Sequence, residues 1–312
     1  LCPFFPDRCL VHGARRRAAR ADIVVTNHSL LFRNVTADGK ILPPIRHWVI
    51  DEAHSVEREA RRQWACTVSA DESRALFERL GGERGGVLGQ LTTALAGSDA
   101  MTLYMGLSAK AAASAHRASI AMAGLFDAVR DVSRVARGGS YDNVNMWIGP
   151  EVRDSDLWCD AFLPPATAAV DALYGLSRNL ESLVETIAPD KPEMVVDVAD
   201  AARRVAEAHA SLKLIVDGAD ERYVYSLQVN RRLRAGGEAL TAELLDIGES
   251  LAARWLPEMK SVVFTSATLS IAGKFNHFAR ATGLERLPKG AYRSLHLDSS
   301  YNFDENMAVV VA

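Results

Sequence analysis

Cysteine is scarce in this chain, and long apolar runs are missing from it. Four cysteines, at positions 2, 9, 66 and 159 of 312 residues, are too few and too scattered for a disulfide-stapled scaffold, which points to a reducing, cytoplasmic setting. No stretch approaches the roughly eighteen consecutive apolar residues of a membrane span, so no membrane association is expected. Positive charge is not in surplus either. The 36 Lys and Arg stand against 39 Asp and Glu, a net charge of −3. That excludes a protein basic over its whole surface but leaves room for a local basic groove. There is no internal repeat and no low-complexity tract. The chain begins at Leu1 without an initiator Met and ends inside the apolar run Ala308 to Ala312. We therefore expect a piece of a longer protein, in which the lack of a targeting signal carries little weight.

What is present is organised around Trp48-Val49-Ile50-Asp51-Glu52-Ala53-His54. The apolar triplet, with two β-branched residues, reads as a buried parallel strand that stops at two adjacent carboxylates. Ligands of open α/β sheets sit beyond the carboxyl ends of strands. An Asp-Glu pair there is well placed for a hydrated Mg2+ and an activated water. Val262-Val263-Phe264-Thr265-Ser266-Ala267-Thr268 repeats the design with hydroxyl residues at its end. A further buried strand is expected at Asp22 to Val25, running into Thr26-Asn27-His28, with a helix opening at Ser29.

Two other features are more ambiguous. Cys2 and Cys9 lie in a loop fixed by Pro3 and Pro6, which fits half of a four-cysteine cluster site or two ordinary thiols. Arg15, Arg16, Arg17 and Arg20 fall on a helix expected over 10–21, either as a solvated face or as a phosphate-tracking patch. Between about 69 and 220 no buried strand is recognisable. Apolar stripes at helical spacing dominate there, such as Leu173, Leu176, Leu180 and Leu183, or Val198, Val205, Leu212 and Ile215. Alternation returns at Tyr223 to Val229, and another helix is expected over about 243–256.

Together, the acidic box Asp51-Glu52-Ala53-His54, the Thr265-Ser266-Ala267-Thr268 element, the cysteine loop and Ala21-Asp22-Ile23-Val24-Val25-Thr26-Asn27-His28-Ser29-Leu30-Leu31 resemble a superfamily 2 DNA helicase of the DinG/XPD type. The resemblance implies an α/β fold: a RecA-like parallel-sheet motor domain interrupted by an all-α, Arch-like insertion. It implies the end of an iron–sulfur domain at 1–21, motor domain 1 at 22–68 and 221–274, the insertion at 69–220, and the start of motor domain 2 at 275–312. Asp51 would hold Mg2+ through water, Glu52 would polarise the water that attacks ATP, and His54, Ser266 and Thr268 would couple across the cleft. Cys2 and Cys9 would be two of four ligands of a 4Fe–4S cluster, and the arginines would lie near single-stranded DNA.

The implied activity is ATP-dependent movement on single-stranded DNA, 5′→3′ by family analogy, in repair or replication. No G-x-x-x-x-G-K-S/T loop occurs, so the chain by itself is expected to be inactive. Two alternatives are a non-catalytic DNA-binding relative and a metal-dependent hydrolase using Asp51, Glu52 and His54 as ligands.

Overall fold

In chain order, a computed structural model forms α1 (Leu10–Ala18), α2 (His28–Thr36), β1 (His47–Ile50), α3 (Val56–Trp64), β2 (Cys66–Ser69), α4 (Ala70–Leu80), α5 (Gly86–Ala94), α6 (Met101–Val135), β3 (Asn143–Trp147), α7 (Pro150–Arg153), α8 (Leu163–Ile187), α9 (Val196–Asp217), β4 (Tyr223–Asn230), β5 (Ala239–Leu244), α10 (Ile247–Arg254), β6 (Ser261–Phe264), α11 (Asn276–Ala281) and α12 (Phe303–Asn306). The structure describes residues 9–81, 85–95, 101–135, 142–189, 195–230, 232–233, 236–297 and 303–308. The chain divides into two compact units, one from 1–64 with 246–312 and one from 65–245.

The first unit is built on β1 and β6, which pair in parallel from His47 opposite Ser261 to Ile50 opposite Phe264. Trp48 and Ile50 are buried, whereas Val49 and Val263 are exposed. The expectation of fully buried strands is thus corrected: this two-stranded sheet is covered on one face, so its side chains alternate. Behind it lies a run of edge-to-face aromatic pairs, Phe32 with Trp255 (5.5 Å), Trp255 with Phe264 (6.1 Å) and Phe264 with Phe278 (5.3 Å). Each such pair adds about 0.5–1.5 kcal/mol to simple burial. The Asn27 side chain caps α2 by accepting from Leu30 N at 2.8 Å, and Asp246 caps α10 through Glu249 N at 3.1 Å. Gly248 in α10 lies against the end of α11, where an added Cβ would meet the Arg280 carbonyl at 2.4 Å.

Two further expectations in this unit need correction. Asp22 to Val25 is not a strand, and Ile23 and Val25 are among the most exposed apolar side chains. A strand needs a neighbour to take up its backbone groups, and among the described residues none pairs with this segment. The basic helix ends at Ala18 rather than 21, leaving Arg20 beyond it. The apolar run at 308–312 lies largely outside the described residues.

The second unit packs α6, α8 and α9 against a four-stranded antiparallel sheet of order β2-β5-β4-β3. The helical stripes read from the sequence form its core: Leu173, Leu176, Leu180 and Leu183 of α8 are fully buried, as are Val198, Val205, Leu212 and Ile215 of α9. The 35-residue α6 meets them with small side chains, Ala111, Ala115 and Ala118, and then with Leu125 and Val129. The all-α reading of 69–220 is corrected here. Asn143–Trp147 is an edge strand paired with Asn230–Ser226, and β2 pairs with β5 from Cys66 opposite Ala242 to Ser69 opposite Ala239. Backbone pairing therefore joins 66–69 and 223–244 to this unit rather than to the parallel pair. The stretch 239–244, overlapping the start of the helix expected over 243–256, is strand, and α10 begins only at Ile247.

Candidate active site at the ends of the parallel strands

Because β1 and β6 run parallel and in register, the residues that follow them emerge side by side. The ladder continues past both strands: Thr265 N donates to the Ile50 carbonyl (2.8 Å), and Ala53 N donates to the Thr265 carbonyl (2.9 Å). This brings the Asp51-Glu52 turn against the Thr265-Ser266 turn, although 214 residues separate Asp51 from Thr265.

Thr265 Oγ1 donates to Asp51 Oδ1 at 2.9 Å, and Glu52 N donates to the same oxygen at 2.9 Å. Asp51 and Glu52 are both exposed. Glu52 occupies the left-handed backbone region (φ 48°, ψ 42°), a conformation that non-glycine residues disfavour and that often marks functional turns. Its carboxylate lies 3.2 Å from His54 Nδ1, and the same nitrogen is 2.9 Å from Ser266 Oγ. His54 Nδ1 thus lies between a side chain of each turn, within hydrogen-bond distance of Ser266 and close to the Glu52 carboxylate.

On the other side stands His28, the first residue of α2. Its Nε2 is 2.9 Å from the Asp51 carbonyl and its Nδ1 is 2.9 Å from Ser55 Oγ. Ser55 Oγ in turn donates to the Glu52 carbonyl at 3.0 Å. A cavity of about 690 Å³ touches the same region through Thr265, Ser266 and Ala267, with largely apolar walls that include Phe264, Phe275 and Phe278.

The structure thus gathers four of the five expected catalytic side chains: Asp51, Glu52, His54 and Ser266. Thr268 is exposed in the following turn and is not among the side chains that bond to them. No separate role for Thr265, Ser55 or His28 follows from the sequence. The available signal was their position: Ser55 next to the acidic box, His28 at the entry of the neighbouring helix and Thr265 directly after the second strand.

The other expected residues lie apart from these bonds. Arg15, Arg16, Arg17 and Arg20 are all exposed, and three of them sit in the last turn of α1, where the helix dipole favours cations. Cys9 is the N-cap of α1, its Sγ accepting from His12 N at 3.4 Å, and Cys2 lies outside the described residues. Among the described residues, no group of three or more His, Cys, Asp or Glu side chains is arranged to hold a metal ion. Asp51, Glu52 and His54 therefore do not make the three-ligand site that a metal-dependent hydrolase would need.

Comparison with known proteins places relatives along nearly the whole chain. It is 25% identical over 315 residues to the 3'-5' exonuclease DinG of Bacillus subtilis, a match covering 96% of this chain and 32% of that protein. It is 22% identical over 317 residues to the ATP-dependent DNA helicase YoaA of Haemophilus influenzae, covering 99% of this chain and 41% of that protein. A shorter stretch of 55 residues, 18% of this chain and 8% of the relative, is 46% identical to the ATP-dependent helicase DinG of Mycobacterium tuberculosis. No protein-family model matches. The chain spans about a third of the first of these relatives and two fifths of the second.

Proposed function

From its relationship to the DinG and YoaA helicases, we propose that this chain carries part of an ATP-dependent DNA helicase motor, with the acidic turn after β1 as its hydrolytic centre. The observation that supports this best is the juxtaposition of two strand ends. One delivers adjacent carboxylates and the other hydroxyls, in direct hydrogen-bond contact. In this reading the first unit is RecA-like, and 65–245 is an Arch-like insertion between its halves.

The residues fit a nucleotide-bound Mg2+. Both hydrogen bonds to the Asp51 carboxylate fall on Oδ1, and among the described residues Oδ2 has no protein partner, so the carboxylate is oriented yet open to a cation's water shell. Glu52, exposed and beside His54, takes the proton of an attacking water. His54 and Ser266 then couple the state of that turn to the one after β6, where Thr268, exposed in the same turn, would join them. Magnesium-bound ATP would supply the phosphoryl group and neutralise charge, in a reaction governed by positioning and electrostatics.

Cys9, whose sulfur accepts a backbone N–H, suits a thiolate ligand, and with Cys2 it would hold part of a 4Fe–4S cluster. The exposed arginines of α1 would track the phosphates of single-stranded DNA. Movement 5′→3′, a role in repair or replication and a cytoplasmic location complete the reading.

Single-strand-stimulated ATPase activity of the full-length gene product tests it, with Glu52→Gln alongside. A fall in kcat of about 10²- to 10⁴-fold is expected for loss of the general base. DNA binding without any ATPase above the variant would instead identify a non-catalytic relative. Degradation of DNA from the 3' end that survives Glu52→Gln would place a nuclease outside this turn.

A further inference from the structure

We propose that His28 is the positioning residue that locks the backbone of Glu52, its imidazole holding the carbonyl of the peptide plane that precedes that residue. The proposal rests on the reading of Glu52 as the water-activating carboxylate and names what aims it.

Glu52 adopts φ 48°, and a left-handed glutamate persists only where its surroundings over-determine it. The easiest escape is a flip of the Asp51–Glu52 peptide plane, which would carry φ of Glu52 to negative values and swing the carboxylate away. Both ends of that plane are held. Its N–H donates to Asp51 Oδ1, and its carbonyl, which can only accept, takes the Nε2–H of His28 at 2.9 Å. The plane on the other side of Glu52 is held at its carbonyl by Ser55 Oγ (3.0 Å) and Ser55 N (3.0 Å). Ser55 Oγ is also 2.9 Å from His28 Nδ1, and with the ring proton on Nε2 its single hydroxyl proton serves either that nitrogen or the Glu52 carbonyl.

One ring therefore holds the first plane directly and touches the serine that lies beside the second. The ring is in turn fixed by its helix: Leu31 and Phe32 of α2 are buried, and Gln63 of α3 donates to Ser29 at 2.8 Å. Among the described residues, every other restraint on these planes is short-range or comes from Thr265. His28 is the link to a separate helix.

The test uses the full-length gene product with His28→Ala, His28→Gln, Ser55→Ala and the pair His28→Ala/Glu52→Gln. A misplacement of the water-activating group by about 1 Å can cost about 100-fold, so His28→Ala should lower kcat by about 10- to 100-fold. The KM for ATP and single-strand affinity should stay within about twofold, the signature of an interaction expressed in the transition state. Gln, whose amide can still donate to the Asp51 carbonyl, should restore most of the rate, and Ser55→Ala should give a smaller loss of the same kind. Because His28 acts through Glu52, the pair should be no slower than Glu52→Gln alone.

An unchanged kcat in His28→Ala, while Glu52→Gln is inactive, overturns the proposal. So does additivity in the pair, or equal loss of kcat and ATP affinity. If the wild-type protein has no ATPase at all, the hydrolytic reading fails. The His28 lock is then judged by nitrogen NMR of the ring at pH 8, where a proton on Nε2 upholds it and one on Nδ1 overturns it.

Discussion

Glu52 shows at the level of one residue how the site trades stability for geometry. A non-glycine side chain in the left-handed region costs about 1–2 kcal/mol, and Glu52 sits at φ 48° and ψ 42°. Glu52→Gly should therefore stabilise the first unit by about 1 kcal/mol while abolishing ATP hydrolysis, a result read by comparing thermal midpoints with turnover. Glu52→Gln keeps the backbone cost and should leave the midpoint unchanged.

The carboxylates themselves were legible in the sequence, because an apolar run ending in Asp51-Glu52 already implies a strand end that faces ligand. Their supports were not. Thr265 meets Asp51 across 214 residues and His28 meets Ser55 across 27. A histidine or threonine carries no pattern that announces such a partner.

At the scale of elements, periodicity was a faithful guide wherever one face is buried against a large core. The leucine stripe of α8 and the valine–isoleucine stripe of α9 both became interior. It failed where pairing decides the outcome. Asn143-Val144-Asn145-Met146-Trp147 has an exposed, polar edge-strand face, which hides β3 among surrounding helices, and Asp22 to Val25 has strand composition but no strand neighbour among the described residues.

Close approach between elements was equally silent. Gly248 sits inside α10, where alanine is intrinsically better by about 1 kcal/mol, yet its missing Cβ leaves space for the Arg280 carbonyl and Gly283 N, which would stand 2.4 and 2.9 Å from it. Gly248→Ala should consequently destabilise the first unit by about 1–3 kcal/mol through overpacking, opposite in sign to helix propensity. Denaturant unfolding measures it.

The whole molecule is a discontinuous unit with another unit set into its chain between Trp64 and Asp246. Residues 65–245 have their own sheet, their own bundle and a contiguous core, so expressed alone they should unfold in one cooperative step. Acid should weaken that unit in a defined window. The guanidinium and backbone N–H of Arg222 hold the Asp220 carboxyl down to about 2, from an ordinary 3.8. Hydrogen bonding from Arg203 lowers Asp200 as well.

A depressed carboxyl contributes stability that is complete above the unfolded value and is lost as pH falls through the folded one. The Asp220 contribution should therefore disappear between pH 3.8 and about 2, and Asp220→Asn should flatten its share of that slope in a pH series of unfolding curves. Among the described residues no helix is long and apolar enough to cross a membrane.

The pairing of β2 with β5 has a mechanical meaning. The chain enters the inserted unit just before Cys66 and leaves it after Leu244, and Cys66 lies opposite Ala242. Both attachment points are thus at the same end of one antiparallel pair. Tension that draws residues 64 and 246 apart loads that ladder from its open end. Its hydrogen bonds lie across the strands and break in succession, like the teeth of a zip. The inserted unit is consequently hung on a junction that peels under low force, while a pull along the strands would have to shear every bond at once.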